Sequence, residues 1–310
     1  MRGSQYGDAM NETELADRDL AAAEDRQAAA AAWKRGYSQY RAVLVQHDRS
    51  ADKRTSTLGK LVNARQHRAL LLYMMLLSVW PWLRDRKYPL EAHVWMQLLH
   101  SRVGTGDHDF QSLVWSESTL SRTWKYLAKE NLVSKKRGAK GRLRVTPRRE
   151  DGLSDYEFPD GSKDWNEIYF TLPDRFWLDE DFARLSLPGL AVLLVIAKET
   201  NQKPSVRMTQ DQMAEWYGFS RATVTKGLAD LRKLGLLVED VRWIPARLSK
   251  IRTTKEVWFS LAGDYSMEAR KLARNNAERR RRRAEKKAVV GFGQPEFAEE
   301  DGEDYDGDAA

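Results

Sequence analysis

The stretch FSRATVTKGLADLRKLGLLV, Phe219–Val238, has a counterpart 104 residues upstream in WSESTLSRTWKYLAKENLVS, Trp115–Ser134. Each opens on an aromatic residue followed by Ser. Each continues with Thr, an aliphatic residue, Ser or Thr and a base. Each closes on a turn residue (Gly235 or Asn131), Leu and a second aliphatic residue. Both read as amphipathic helices. In the second copy Ser220 is placed to cap, because its hydroxyl can accept from the unpaired N–H groups of a first turn. Val224, Leu228 and Leu231 then recur at i, i+4 and i+7 as one apolar stripe, and Gly235 ends the helix. In the first copy Leu120, Trp124 and Leu127 take the same stripe.

With those stripes buried, the opposite faces are set. The first presents Ser118, Arg122, Lys125 and Lys129, flanked by Thr119 and Ser121. The second presents Ala222, Lys226, Ala229 and Lys233, flanked by Thr223 and Thr225, with Ser220 and Arg221 in the first turn. Before the second copy, Thr209 reads as the cap of a helix with Met213 and Trp216 on its apolar face. Gly218 sits where the chain must turn sharply between two helices, a position that favours positive φ. After each copy comes a basic segment that reads as a strand, turn and strand. The first carries Lys135, Lys136, Arg137, Lys140, Arg142 and Arg144. The second carries Arg242, Arg247, Lys250, Arg252 and Lys255.

The order of helix, helix, turn, longer helix and ribbon resembles winged helix-turn-helix DNA-binding domains, as found in bacterial transcription regulators and plasmid replication initiators. The resemblance is carried by MAEWYGFSRATVTKGLADLRKLGLL and covers roughly 185–261. It extends more loosely over 61–172, where the turn lacks Gly and a longer loop precedes the helix. It implies that each longer helix enters a major groove, its small hydroxyl residues allowing close approach and its bases reaching guanine edges or phosphates. It also implies that the ribbons hold phosphates or the minor groove. The residues named on the two helix faces and the two ribbons are therefore the candidate DNA contacts.

The expected fold is mainly α with small β-wings, an α+β chain. It divides into an N-terminal helical and linker region (1–60), a first winged helix (61–172), a second (173–265), and a basic helix leading to an acidic tail (266–310). A helix is expected from Thr13 to about Gln46, a polar linker over Asp48–Lys60, an apolar helix over Leu61–Leu83 bent or ended by Pro81, another over Leu90–His100, and a strand over Glu167–Leu172. The partner implied is double-stranded DNA, read for sequence by a transcription regulator or, as the alternative, by a replication initiator of a plasmid or mobile element. A third reading makes the winged helices protein-binding modules. Only the N-terminal helix is left to serve self-association.

Composition agrees with an anionic polymer as partner, the alternative being a merely solvated basic surface. The 310 residues carry a formal charge of +7, although Glu296–Asp308 alone holds eight acids and no base, so the remainder is more basic than the mean. Arg279–Arg283 is an unbroken run of arginines that reads either as a phosphate-tracking arm or as a solvated helix end. No Cys is present, so there is neither a disulfide framework nor a thiolate metal site. The longest apolar runs, Ala69–Leu83 and Leu185–Ala197, are too short to span a bilayer. The N-terminus has no apolar signal core, and the expected location is the cytoplasm, at the nucleoid. No phosphate-loop motif of an ATPase occurs, and no nucleophile–base pair stands out, so no enzyme and no cofactor are expected. His100, Asp107, His108 and Asp109 are the one weak metal candidate. His47, His67 and His93 read as packing or surface residues.

Overall fold

The computed structural model describes residues 12–47, 56–102, 113–138, 142–162, 164–245 and 252–291, the last five of these without side-chain detail. Lys140, Arg247 and Lys250 among the candidate contacts lie outside the described residues, as do Asp107, His108, Asp109 and the acidic tail.

The chain is α+β. Helix α1 (Glu12–Trp33) is followed by strand β1 (Tyr37–Arg41), α2 (Thr57–Asn63), α3 (His67–Leu83), α4 (Ala92–Leu98), α5 (Glu117–Lys129), β2 (Val133–Arg137), β3 (Leu143–Pro147) and β4 (Tyr169–Pro173). Two one-turn helices, α6 (Arg175–Leu178) and α7 (Asp181–Arg184), lead to α8 (Leu187–Glu199). Then come β5 (Val206–Arg207), α9 (Gln210–Tyr217), α10 (Arg221–Lys233), β6 (Leu237–Pro245), β7 (Thr253–Leu261) and α11 (Met267–Gly291). Among the described residues the strands form three small antiparallel sheets: β1 with β4, β2 with β3, and the order β5-β7-β6.

Helices α3 and α8 are apolar on nearly every side, as their compositions HRALLLYMMLLSVWPWL and LPGLAVLLVIAKE require, and most of their residues are buried. A helix without a polar face must be covered all round. Helices α1 and α5 and strand β1 pack on α3, while α2, α10, β4 and β7 pack on α8. The buried side chains form one continuous cluster from Ala29 to Tyr265.

The N-terminal helix departs from the expected span. It stops at Trp33, because Lys34 (φ 57°) and Gly36 (φ 82°) reverse the backbone. Tyr37–Arg41 then runs as a strand opposite Tyr169–Pro173. The expected polar linker also shortens: Ser56 caps α2, its hydroxyl accepting from Gly59 N–H. The single helix expected over Leu61–Leu83 is two, parted where Arg65 adopts φ 55°, and Pro81 is accommodated inside α3.

Three buried arginines tie distant segments together. Arg41 binds the Glu150 carboxylate at 3.1 Å, Glu167 at 3.0 Å and the Glu157 carbonyl at 2.7 Å. Arg26 of α1 pairs with Glu180 and donates to the His100 carbonyl. Arg270 of α11 donates to the carbonyls of Ala197 and Thr200, at 2.8 and 3.0 Å. Those carbonyls are the unpaired ends that every helix C-terminus leaves, here that of α8.

Helices α8 and α10 approach closely because Gly227 faces the start of α8. A Cβ there would lie 2.4 Å from the Pro188 carbonyl oxygen and 2.5 Å from Val192 Cγ2. Gly227→Ala is therefore predicted to destabilise the protein by about 1–3 kcal/mol through overpacking, despite the better helix propensity of Ala. Thermal unfolding beside Ala229→Ser, on the exposed side of α10, checks this. A Gly227→Ala transition within about 0.5 kcal/mol of the parent contradicts the close crossing.

Candidate nucleic-acid interface

The two repeated stretches become the two 13-residue helices α5 and α10. Ser116 caps α5, accepting from Thr119 N–H at 3.2 Å, and Ser220 caps α10, accepting from Thr223 N–H at 3.1 Å. Leu120, Trp124 and Leu127 are buried in one, and Val224, Leu228 and Leu231 in the other. Ser118, Ser121, Arg122, Lys125 and Lys129 are exposed on α5, with Thr119 half-buried. Ser220, Arg221, Thr225, Lys226 and Lys233 are exposed on α10, with Thr223 half-buried. The faces read from the heptad-like spacing are thus the faces presented to solvent.

The turn before α10 is also as the residues dictate. Gly218 has φ 72° and closes α9, whose start carries a reciprocal cap between Thr209 and Gln212. The Gly218 carbonyl accepts from Asn63 Nδ2 at 2.9 Å, so the end of α2 holds this turn. The start of α8 lies between the two exposed helices. Ser186 donates to Asp230 of α10, while Leu185, Ser186 and Leu187 line a cleft whose other wall includes Thr119, Arg122, Thr123 and Tyr126 of α5.

The two ribbons differ. In β2–β3 the described residues include Lys135, Lys136, Arg137, Arg142 and Arg144 and no acid. Lys135, Lys136 and Arg137 are exposed. Arg142 pairs with Glu91 at 3.2 Å. Arg144 donates to the carbonyls of Arg86 and Lys87 at 3.0 and 2.8 Å, so its guanidinium braces the α3–α4 connection. The β6–β7 ribbon balances Arg242, Arg252 and Lys255 against Glu239, Asp240 and Glu256. Arg242 is bound to Asp240 at 2.7 Å and stacks on Trp258. Its outer part carries exposed Val241 and Trp243. Arg221 likewise meets Asp211 at 3.3 Å, an exposed pair of small energetic weight.

Of the metal candidate only His100 lies among the described residues, where its Nε2 meets Asp19 at 2.8 Å; among those residues no group of three His, Asp or Glu converges. Arg280, Arg281 and Arg282 are exposed on α11, with Arg281 and Arg282 paired to Glu285 and Glu278 one turn away. No helix of the described residues is long and apolar enough to cross a membrane. Sequence reasoning missed Arg65, His67 and Arg68, which share the cleft with α5. Burial beside Arg68 pulls the His67 imidazole down to about 4, so the ring is uncharged at neutral pH.

On the proposal that this face binds duplex DNA, the charge contrast between the ribbons predicts different salt behaviour. Replacing Lys135, Lys136 and Arg137 by Gln lowers affinity for all sequences alike and flattens the slope of log affinity against log salt by roughly 0.9 for each lost phosphate contact. Replacing Arg242, Arg252 and Lys255 by Gln leaves that slope nearly unchanged. Equal flattening by both triples contradicts the contrast.

No family model, curated protein or solved structure matches this chain.

Proposed function

We propose that the protein binds double-stranded DNA sequence-specifically through two winged helix-turn-helix units on one chain, with α5 and α10 as reading helices and β2–β3 and β6–β7 as wings, and that it acts as a transcription regulator. The observation that carries this reading is the duplication of one arrangement. Two helices of equal length are each capped by Ser, each buried along one stripe, and each exposed along a face of small and basic residues beside an antiparallel ribbon.

The physical case is direct. A major groove about 12 Å wide admits one helix. Ser118, Ser121 and Thr119 on α5, and Ala222, Thr223 and Thr225 on α10, leave room for base edges. Arg122, Lys125 and Lys226 supply long donors. The β2–β3 ribbon adds sequence-independent phosphate binding. The β6–β7 ribbon, balanced in charge, contributes less of it. Because the two faces differ in sequence, the two half-sites differ as well, and one chain covers both without a second copy. Joining the heads makes the second contact intramolecular and raises the affinity of the pair above that of either.

A DNA site selected from a random pool tests the reading. Arg122→Ala and Lys226→Ala are each predicted to weaken binding to that site by about 1–3 kcal/mol if the contact is to a base, with discrimination relaxed over their own half of the site. Unchanged affinity in both folded variants removes the assignment. Mapping bound sites along the genome then separates the roles: promoters mark a regulator, clustered repeats beside the protein's own gene an initiator.

A further inference from the structure

The cleft beside α5 has the chemistry of an anion site. It measures about 630 Å³ and is lined by Arg65, His67, Arg68 and Arg122 with Thr119, Tyr126 and Ser186, and among the described residues no carboxylate lines it. The first turn of the 17-residue helix α3 forms part of its wall. Gln66 stands at the capping position, yet its side chain caps nothing; its amide donates instead to the Ala64 carbonyl. The start of α3 therefore has no cap from the Gln66 side chain, and such termini take an oxygen from a side chain or a bound anion.

A second observation is independent of the helix terminus. His67 Nε2 and Arg68 Nε are both buried without a hydrogen-bond partner. Buried polar atoms are rarely left so, because each forfeits the hydrogen bonds it made to water. These two unpartnered nitrogens belong to adjacent residues that line one cleft, next to two further guanidinium groups. Such a lining of donors suits a ligand with several acceptor oxygens and negative charge. Arg68 is held in place from behind: it donates to the Val114 carbonyl at 3.2 Å and lies over the Trp115 ring. Arg122 is braced by the Ser118 carbonyl at 3.3 Å. The donors are thus partly preorganised.

We infer that this cleft binds one phosphate group, held by Arg65, His67, Arg68 and Arg122 at the start of α3. The inference deepens the proposed function, since α5 forms one wall: a backbone phosphate of bound DNA is one source of the group, and a free phosphorylated small molecule is the other. An anion in the cleft favours the protonated imidazole, so its arrival is visible at His67.

Titration of the full chain with inorganic phosphate, followed by the His67 ring resonances, tests the inference without DNA. Saturable shifts at His67 are expected in the parent, and calorimetry follows phosphate binding in the parent and the variants alike. Arg65→Ala and His67→Gln should each weaken phosphate binding about tenfold, while Lys203→Gln, exposed and outside the cleft, changes nothing. His67→Gln keeps a hydrogen-bond donor, and Arg65 is exposed, so both variants should fold. If phosphate moves no cleft resonance, or binds both variants as well as the parent, the inference is overturned. The source is separated on a duplex. With a DNA phosphate, Arg65→Ala flattens the salt slope by about 0.9 and inorganic phosphate competes with DNA. With a free ligand, the slope is unchanged while phosphate still binds. Should the protein bind no DNA, the titration alone decides the cleft, so failure of the DNA reading and failure of this one remain distinct.

Discussion

Helices α3 and α8 have almost no polar face, and the rest of the chain is arranged to cover them. That requirement turns an amphipathic helix such as α10 inward along Val224, Leu228 and Leu231 and leaves Arg221, Thr225 and Lys226 outside. The same requirement acts on α5 against α3. Burial of an apolar side chain contributes about 1.5–3 kcal/mol, far more than any exposed ion pair on these faces. The outward faces are therefore set by what lies beneath them. Gly227 sharpens the constraint, since the crossing of α8 and α10 leaves no room for a Cβ.

Buried arginines set how the covering segments are joined. Arg41, Arg26 and Arg270 each reach carbonyls or carboxylates far away in sequence. Such groups are costly to desolvate, and a buried pair adds little net stability over apolar residues of the same size. Breaking one is nevertheless expensive, because its partner stays buried and uncompensated. Arg41 and Glu150 therefore specify where β1 sits against β4 and the end of β3, and Arg270 specifies where α11 meets α8. Asn63 also reaches the carbonyl of Gly218 in the turn before α10, but that bond is exposed and carries no such burial cost.

What the sequence made legible was local. The caps Thr209 and Ser220, the positive φ of Gly218, and the faces of α5 and α10 each follow from residues within one or two turns. What it concealed depended on partners far along the chain. Strand β1 pairs with β4, more than a hundred residues away, so YSQYR read as the end of an Ala-rich helix. The break before α3 turns on Arg65 at positive φ, where neither Gly nor Asn marks it. Arg144 and Arg242 looked like free bases, because the Arg86 and Lys87 carbonyls and Asp240 that engage them are visible only in three dimensions. His67 read as an ordinary packing residue, because nothing in NARQHRALL shows that α5 will close a cleft over it.

The central claim is that α5 and α10 are two reading heads carried by one core. Hydroxyl-radical footprinting of the intact protein on its selected site tests it most directly. The account predicts two protected patches on one face of the duplex, of different sequence. Their centres should lie about 10 base pairs apart or a multiple of that, at one chain per site. Crippling α5 or α10 should erase only its own patch. A single patch, or a palindromic site occupied by two chains, would contradict it.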